Sequence, residues 1–221
     1  MVLKLYGASL STCTRRVATV LHEKNIPYEL HTVDFATGEH KSAAYLTKQP
    51  FGQLPYIDDD GLILFESRAI CRYLEAKYPN KGPRLAPPTS DLAAYARYEQ
   101  ACSVETANFD VYASSAVAEL VFKPMRGVES NKALADGLLK TLEAKLDGYE
   151  AILSKQKYLA GNEITLADIF HLPYGSMLER IGFTVLENGS KPNVTRWWKD
   201  ITSRPAWNAV KGGVPAEGIK A

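Results

Sequence analysis

Cysteine is scarce in this sequence. Cys13, Cys71 and Cys102 are odd in number and widely spaced, which fits neither a disulfide framework nor a zinc pattern and suits a reducing compartment. No charge sign dominates either, with 26 Lys and Arg against 25 Asp and Glu, and no basic stripe is interleaved with aromatics. A nucleic-acid partner is therefore not expected. Long apolar runs are missing. The opening MVLKLYGASLSTCTRR has no cationic lead-in and no small-residue cleavage site, so neither membrane insertion nor export is expected and the reading is cytoplasmic. Internal repeats and low-complexity tracts are also lacking. What remains is ordinary for a globular chain that buries a sizeable core: 46% hydrophobic and 23% charged residues over 221 positions, enough for one large domain or two small ones.

The character of the chain changes near residue 80. Before it, strand and helix periods alternate. Val2–Tyr6 reads as a strand, Thr12–Lys24 as a helix, Tyr28–Val33 as a strand, Leu54–Ile57 and Leu62–Phe65 as two strands across an Asp/Gly turn, and Ser67–Lys77 as a helix. YPNKGPRLAPPTS, residues 78–90, holds four prolines, which fix φ and remove backbone donors, so regular structure stops there. Beyond it, Asp91–Val121, Ser130–Lys155, Leu166–Ile181 and Val194–Ser203 carry helical periodicity with no credible strand. The expected organisation is an α/β domain over 1–80, a linker over 81–90 and an all-helical domain over 91–221. Pro192 and Pro205 bracket the last helix, and the small, polar tail KGGVPAEGIKA is expected to be loosely held.

Three short segments bear on chemistry. In GASLSTCTRRV, residues 7–17, a strand ends at Gly7 and hydroxyl residues precede a helix. Ser11 and Thr12 there are either plain caps or donors to an anion, because the first N–H groups of a helix are unpaired and its dipole is positive. In QPFGQLPYI, residues 49–57, Pro55 opens a strand. The Leu54-Pro55 bond is either an ordinary trans turn or a cis peptide that leaves the Leu54 backbone facing outward to pair with an extended peptide. In LFESRA, residues 64–69, Glu66 and Ser67 fall at a helix start. They are either a cap or a clamp for one carbon bearing both an ammonium, accepted by Glu66, and a carboxylate, bound by the Ser67 N–H and hydroxyl. Elsewhere, Thr165 and Asp168 form a capping box with Ile164 as its staple, and losing Asp168 is expected to cost about 1 kcal/mol. Trp197, Trp198 and Trp207 read as packing for the last helix.

These segments occur together and in order, and with others they resemble phi-type glutathione transferases along nearly the whole chain. The resemblance rests on STCTRRV at 11–17, LHEKNIPYEL at 21–30, GEHK at 38–41, QPFGQLP at 49–55, LFESRAI at 64–70, FDVYAS at 109–114, ITLAD at 164–168 and RWWKDITSRPAW at 196–207. It implies a thioredoxin-like N-terminal domain followed by an all-helical C-terminal domain, and a glutathione transferase (EC 2.5.1.18) that conjugates glutathione to apolar electrophiles or reduces peroxides in detoxification. Ser11 matches the serine that donates to the glutathione sulfur. His40 and Lys41 match the residues on the glycine carboxylate, although His40 equally suits a water-facing loop. Gln53, Leu54 and Pro55 match the cysteinyl contact, and Glu66 with Ser67 the γ-glutamyl end. The resemblance places the electrophile pocket between the domains, where Leu10, Phe35 and Tyr112 are candidates, each also readable as core. Glutathione is the co-substrate, no metal is implied, and a homodimer is expected. Two alternatives stand beside this reading: a non-catalytic glutathione or ligand-binding protein, and a thiol transferase using Cys13, which lies two residues beyond the position that the catalytic cysteine takes in related types.

Overall fold

The computed structural model describes residues 2–220. Contacts divide the chain into two compact units, Met1–Leu85 with Arg204–Ala221, and Ala86–Ser203. The first unit runs β1 (Leu3–Gly7), α1 (Thr12–Glu23), β2 (Tyr28–Thr32), a 3₁₀ turn at Glu39–Lys41, α2 (Ala43–Leu46), β3 (Tyr56–Asp59), β4 (Leu62–Phe65) and α3 (Ser67–Lys77). Its sheet has the order β2-β1-β3-β4, with β1 parallel to β2 and antiparallel to β3, and β3 antiparallel to β4. This is the thioredoxin-like arrangement.

The periodicity that marked these elements also fixes which face they bury. In β1 every second residue, Leu3, Leu5 and Gly7, is buried, as the period of two requires. Helix α1 packs on α3, and Val17, Val20, Leu21, Ile70, Cys71 and Leu74 are all buried. A polar pin closes the far end of the pair. The fully buried Lys24 Nζ meets a Glu75 carboxylate oxygen at 2.7 Å and donates to Pro83 O at 3.1 Å. Glu75 also accepts from Leu85 N–H at 3.1 Å, so the proline-rich segment is tied down by side chains where no ladder is available.

The second unit is helical: α4 (Leu92–Glu105), α5 (Val111–Val117), α6 (Lys123–Met125), α7 (Lys132–Leu153), α8 (Leu166–Ile169), α9 (Leu172–Arg180) and α10 (Pro192–Thr202). Asp91 and Asn131 cap α4 and α7 by accepting from the N–H groups of Ala94 and Leu134. The helix read over Asp91–Val121 is present, with π-helical turns at Thr106–Asp110 and Ala118–Phe122 that the spacing of apolar residues does not reveal. The helix read over Leu166–Ile181 divides at Phe170 and His171. His171 is fully buried there, with Nδ1 2.8 Å from Ala167 O and Nε2 3.0 Å from the Tyr149 hydroxyl.

Asp168 does more than cap. Its carboxylate is fully buried and accepts from Thr165 N–H at 2.9 Å, Leu159 N–H at 3.0 Å and Trp197 Nε1–H at 2.9 Å. Burial pushes its pKa up, against the pull of these bonds. The sequence-based figure of about 1 kcal/mol is that of an exposed cap. Asp168→Ala instead leaves three buried N–H donors, and the Thr165 hydroxyl that donates to the same carboxylate at 3.1 Å, without that acceptor, so a loss of roughly 3 kcal/mol or more is expected, read as a drop in midpoint on chemical denaturation. A loss of about 1 kcal/mol would show that the cap alone matters.

The tail departs from expectation. Pro205 does not end the helical structure but begins α11 (Pro205–Val210), where proline suits the first position. This helix packs on α1, with Trp207 buried and the Arg15 guanidinium 5.7 Å above its ring. Arg204 grips the Glu23 carboxylate through Nε at 2.5 Å and Nη2 at 2.7 Å. Beyond α11 the chain stays docked: Val214 is buried, its N–H donates to Ser9 O at 3.0 Å, and Tyr28 N–H donates to Ile219 O at 3.2 Å. Glycine-rich composition hid the two apolar residues and the backbone groups that hold this segment. The three tryptophans are packing residues, at most 2% exposed, though Trp207 belongs to α11 and not to the helix of the other two.

Candidate functional site

Strand register gathers the site. Tyr6 of β1 pairs with Tyr56 of β3, which pairs with Phe65 of β4, while Gly7 of β1 pairs with Thr32 of β2. One step past these pairs the chain leaves the sheet, and because β3 runs against the other three, all four exits lie at the same end. That end therefore receives the loop to Ser11, the segment leading to His40 and Lys41, the Leu54-Pro55 entry and the Glu66–Ser67 start of α3. Neighbouring strands lie about 4.8 Å apart, so residues distant in sequence are delivered to one edge about 14 Å wide.

Ser11 is the N-cap of α1, with φ −62° and ψ 131°. Its Oγ accepts from Thr14 N–H at 3.3 Å, which employs a lone pair and leaves the hydroxyl proton to be donated. Cys13 is partly exposed, and its Sγ accepts from the Arg16 guanidinium at 3.4 Å. Residues two apart at a helix start do not face each other, so Cys13 turns towards Arg16 while Ser11 serves the helix end. Arg16 itself is completely buried and donates to Ser67 Oγ at 3.0 Å, joining the starts of α1 and α3.

The segment before β3 is shaped by a buried glutamine. Gln49 Oε1 accepts from Phe51 N–H at 2.8 Å and Gln53 N–H at 3.2 Å, and the Tyr45 hydroxyl donates to Gln53 O at 2.7 Å. The Gln53 backbone is thus engaged, and its exposed side chain is what it can offer. Leu54 differs: among the described residues no hydrogen bond takes up its N–H or C=O, and the Leu54-Pro55 peptide is cis. Pro55 is buried beneath.

Lys41, itself exposed, reaches across to this loop and donates to Phe51 O at 3.0 Å. Gly52, at φ +59°, makes room for it: a Cβ there would lie 2.7 Å from Lys41 Nζ. His40 stacks on Phe35, the ring centroids 3.9 Å apart at 15°. One face of Phe35 is thereby covered, and the side chain remains 47% exposed. Leu10 is 72% exposed beside Ser11. Tyr112 is half-buried in the first turn of α5, in the second unit.

Glu66 caps α3 without a side-chain bond, at φ +69° and ψ 105°. A non-glycine residue in that region is strained, and such strain is commonly held where a side chain must be aimed. Its carboxylate is exposed, whereas Ser67 is buried with its Oγ on Arg16. Arg16 is the residue that sequence reasoning missed. The signal was available, since Arg16 lies three and four residues from Thr19 and Val20 on the buried stripe of α1. Among the described residues no group of three or more His, Cys, Asp or Glu is placed to hold a metal ion, and no helix is long and apolar enough to cross a membrane.

Comparison with known proteins bears on the fold and the family. Residues 1–76 match the family model for the glutathione S-transferase N-terminal domain, and residues 113–205 the one for its C-terminal domain. Glutathione S-transferase PM239X14 of Arabidopsis thaliana is 53% identical over 200 residues, 90% of either chain. The structure of glutathione transferase F7 from Populus trichocarpa superposes with a TM-score of 0.89 at 42% identity over the full length of both chains. That of glutathione S-transferase I from maize, in complex with an atrazine glutathione conjugate, superposes with a TM-score of 0.87 at 35% identity, over 96% of this chain and 97% of that one. The thioredoxin-like sheet, the helical second unit and these relatives together establish that the chain belongs to the glutathione transferase family, in its phi class.

Proposed function

We propose that this transferase activates the thiol of glutathione through the Ser11 hydroxyl and passes the sulfur to an apolar electrophile, with peroxide reduction as a further outlet. The observation that carries the reading is the register of β1, β3 and β4, which brings a hydroxyl at a helix start, an unpaired peptide edge and a carboxylate beside a buried serine to one end of the sheet. Each part suits a different piece of the tripeptide. Leu54 N–H and C=O pair with the cysteinyl backbone as a strand edge pairs with a peptide. Glu66 and Ser67 take the γ-glutamyl ammonium and carboxylate, Lys41 supplies a point charge for the glycine carboxylate, and the exposed side chain of Gln53 adds a polar contact. His40 acts from its stack on Phe35. Leu10, Phe35 and Tyr112 are assigned to the electrophile.

Arg16 supports the site from below. By donating to Ser67 Oγ it fixes which way that hydroxyl proton points, and the proton is then available to a ligand carboxylate. We further assign residues 1–80 to glutathione binding and, of the expected domain over 91–221, residues 91–203 to the electrophile side, because 204–221 pack with the first unit, and expect a cytoplasmic homodimer in detoxification. Turnover of glutathione with a panel of electrophiles and hydroperoxides tests the catalytic reading. Binding of glutathione with no turnover of any would replace it with a binding protein. Sedimentation at micromolar concentration giving the mass of a single 24.4 kDa chain would remove the dimer.

A further inference from the structure

The loop that carries Ser11 into place, residues 8–10, belongs to no helix or strand, and its position is held by something other than the sheet. Within the loop one turn closes locally, Ser11 N–H donating to Ala8 O at 3.0 Å. The other restraints come from the far end of the chain. Ser9 and Val214 pair reciprocally across 205 residues: Val214 N–H donates to Ser9 O at 3.0 Å, and Ser9 Oγ donates to Val214 O at 2.9 Å. Four residues after Ser11, Arg15 Nη1 donates to Lys211 O at 2.8 Å, so the same segment also grips the first turns of α1. Val214 is 3% exposed and Arg15 is 4% exposed, while Ser9 is half-buried and Lys211 exposed, so the clamp is partly shielded from water.

Gly213 makes the approach possible. It has φ +138°, which a side chain rarely tolerates, and a Cβ on it would lie 2.8 Å from Ser9 Oγ. A segment made to dock anywhere on the surface has no need of such a residue. Here the closest approach is to the Ser9 side chain, with Leu10 Cδ2 next at 3.5 Å from the same Cβ position.

We infer that Ser9 is a positioning residue for the transfer reaction, and that Val210–Val214 is a strap that sets where Ser11 sits at the start of α1. The inference rests on the assignment of the thiolate donor to Ser11. A donor displaced by about 1 Å loses much of its hydrogen bond to a developing charge, while contacts made through Leu54, Glu66 and Ser67 are untouched because other strands deliver them. The effect of loosening the strap therefore falls on the activation of sulfur and spares the binding of glutathione.

The experiment compares Ser9→Ala, Ser9→Thr, Gly213→Ala and Ser11→Ala with the parent, following kcat, KM for glutathione and the pH-rate profile of conjugation. Ser9→Ala removes the side-chain half of the clamp. Gly213→Ala disturbs it from the other side with Ser9 intact. Both are expected to lower kcat roughly 10-fold with KM within about twofold, and to move the acid limb of the profile upward, as Ser11→Ala does more strongly. Ser9→Thr keeps a hydroxyl in place and is expected to restore parental behaviour. If both clamp variants keep the parental kcat and profile while Ser11→Ala loses activity, the strap has no catalytic part and the inference falls. A fall in activity with an unmoved profile and no recovery in Ser9→Thr overturns it as well, since that is what general loosening gives. If Ser11→Ala itself behaves as the parent, the Ser11 assignment fails and the inference with it.

Discussion

Replacing Glu66 and Ser67 together by alanine is expected to abolish retention on a glutathione matrix while the chain stays folded. The double variant removes a carboxylate facing an ammonium and a hydroxyl facing a carboxylate. Hydrogen bonds of that charged type contribute about 1.5–3 kcal/mol each, so the pair accounts for roughly 3–6 kcal/mol, a loss of about 10²- to 10⁴-fold in affinity. The backbone N–H of Ser67 remains, which is why some binding in free solution is expected even where retention is lost. Ser67→Ala also takes an acceptor from the buried Arg16, so a lower melting temperature accompanies the change, and circular dichroism has to confirm the fold. Glu66→Gly separates the two effects. At φ +69° glycine is the relaxed residue, so this variant is expected to be at least as stable as the parent and yet to bind glutathione more weakly. A folded double variant retained as well as the parent would withdraw the γ-glutamyl assignment.

The first unit was legible because its elements obey short-range rules. Leu3 and Leu5 alternate with polar neighbours, α1 begins at a hydroxyl and α3 directly after a strand, and the structure keeps each of these within a residue or two of expectation. The π-helical turns at 106–110 and 118–122 were not, because a one-residue insertion leaves the local composition helical and only changes which side later residues face. Helix α11 and the strap were missed for a different reason. Pro205 reads as a stop after one helix and as a start before another, and only the burial of Trp207 and Val210 decides between them.

In the site, the residue types were visible and their connections were not. GASLSTCTRRV announced a helix start with a donor, but nothing in the string says that Arg16 turns inward to Ser67, or that Arg15 and Ser9 reach residues 211 and 214. Such links join positions 51 to 205 apart, beyond the range of any periodicity. The state of the Leu54 backbone was likewise open until Gln49 and Tyr45 were seen to engage Gln53 and stop there.

Ser11→Ala is expected to cut conjugation roughly 10- to 1000-fold, to raise the apparent thiol pKa in the pH-rate profile and to leave glutathione affinity nearly intact. A free thiol of pKa about 8.5 is only a few per cent ionised at neutral pH, and lowering that pKa by about two units asks for roughly 2.7 kcal/mol in favour of the thiolate. One charge-assisted hydrogen bond from Ser11, together with the positive end of α1, is of that size. The Thr14 N–H bond uses a lone pair of Ser11 Oγ and so orients the hydroxyl without consuming its proton. Cys13→Ser is expected to matter little, because Cys13 Sγ lies against Arg16 on the α3 side of the helix, and the site has its donor already. The alternative makes opposite demands. Were Cys13 the nucleophile, Cys13→Ser would abolish reduction of a mixed glutathione disulfide, and alkylation of the native chain at slightly acid pH would stop turnover, since only a thiolate reacts there. Ser11→Cys sharpens the comparison: a thiol at the cap itself is expected to gain disulfide exchange and lose conjugation. A Cys13→Ser chain inactive towards every substrate of the parent, beside a Ser11→Ala chain with full rates, would reverse the assignment.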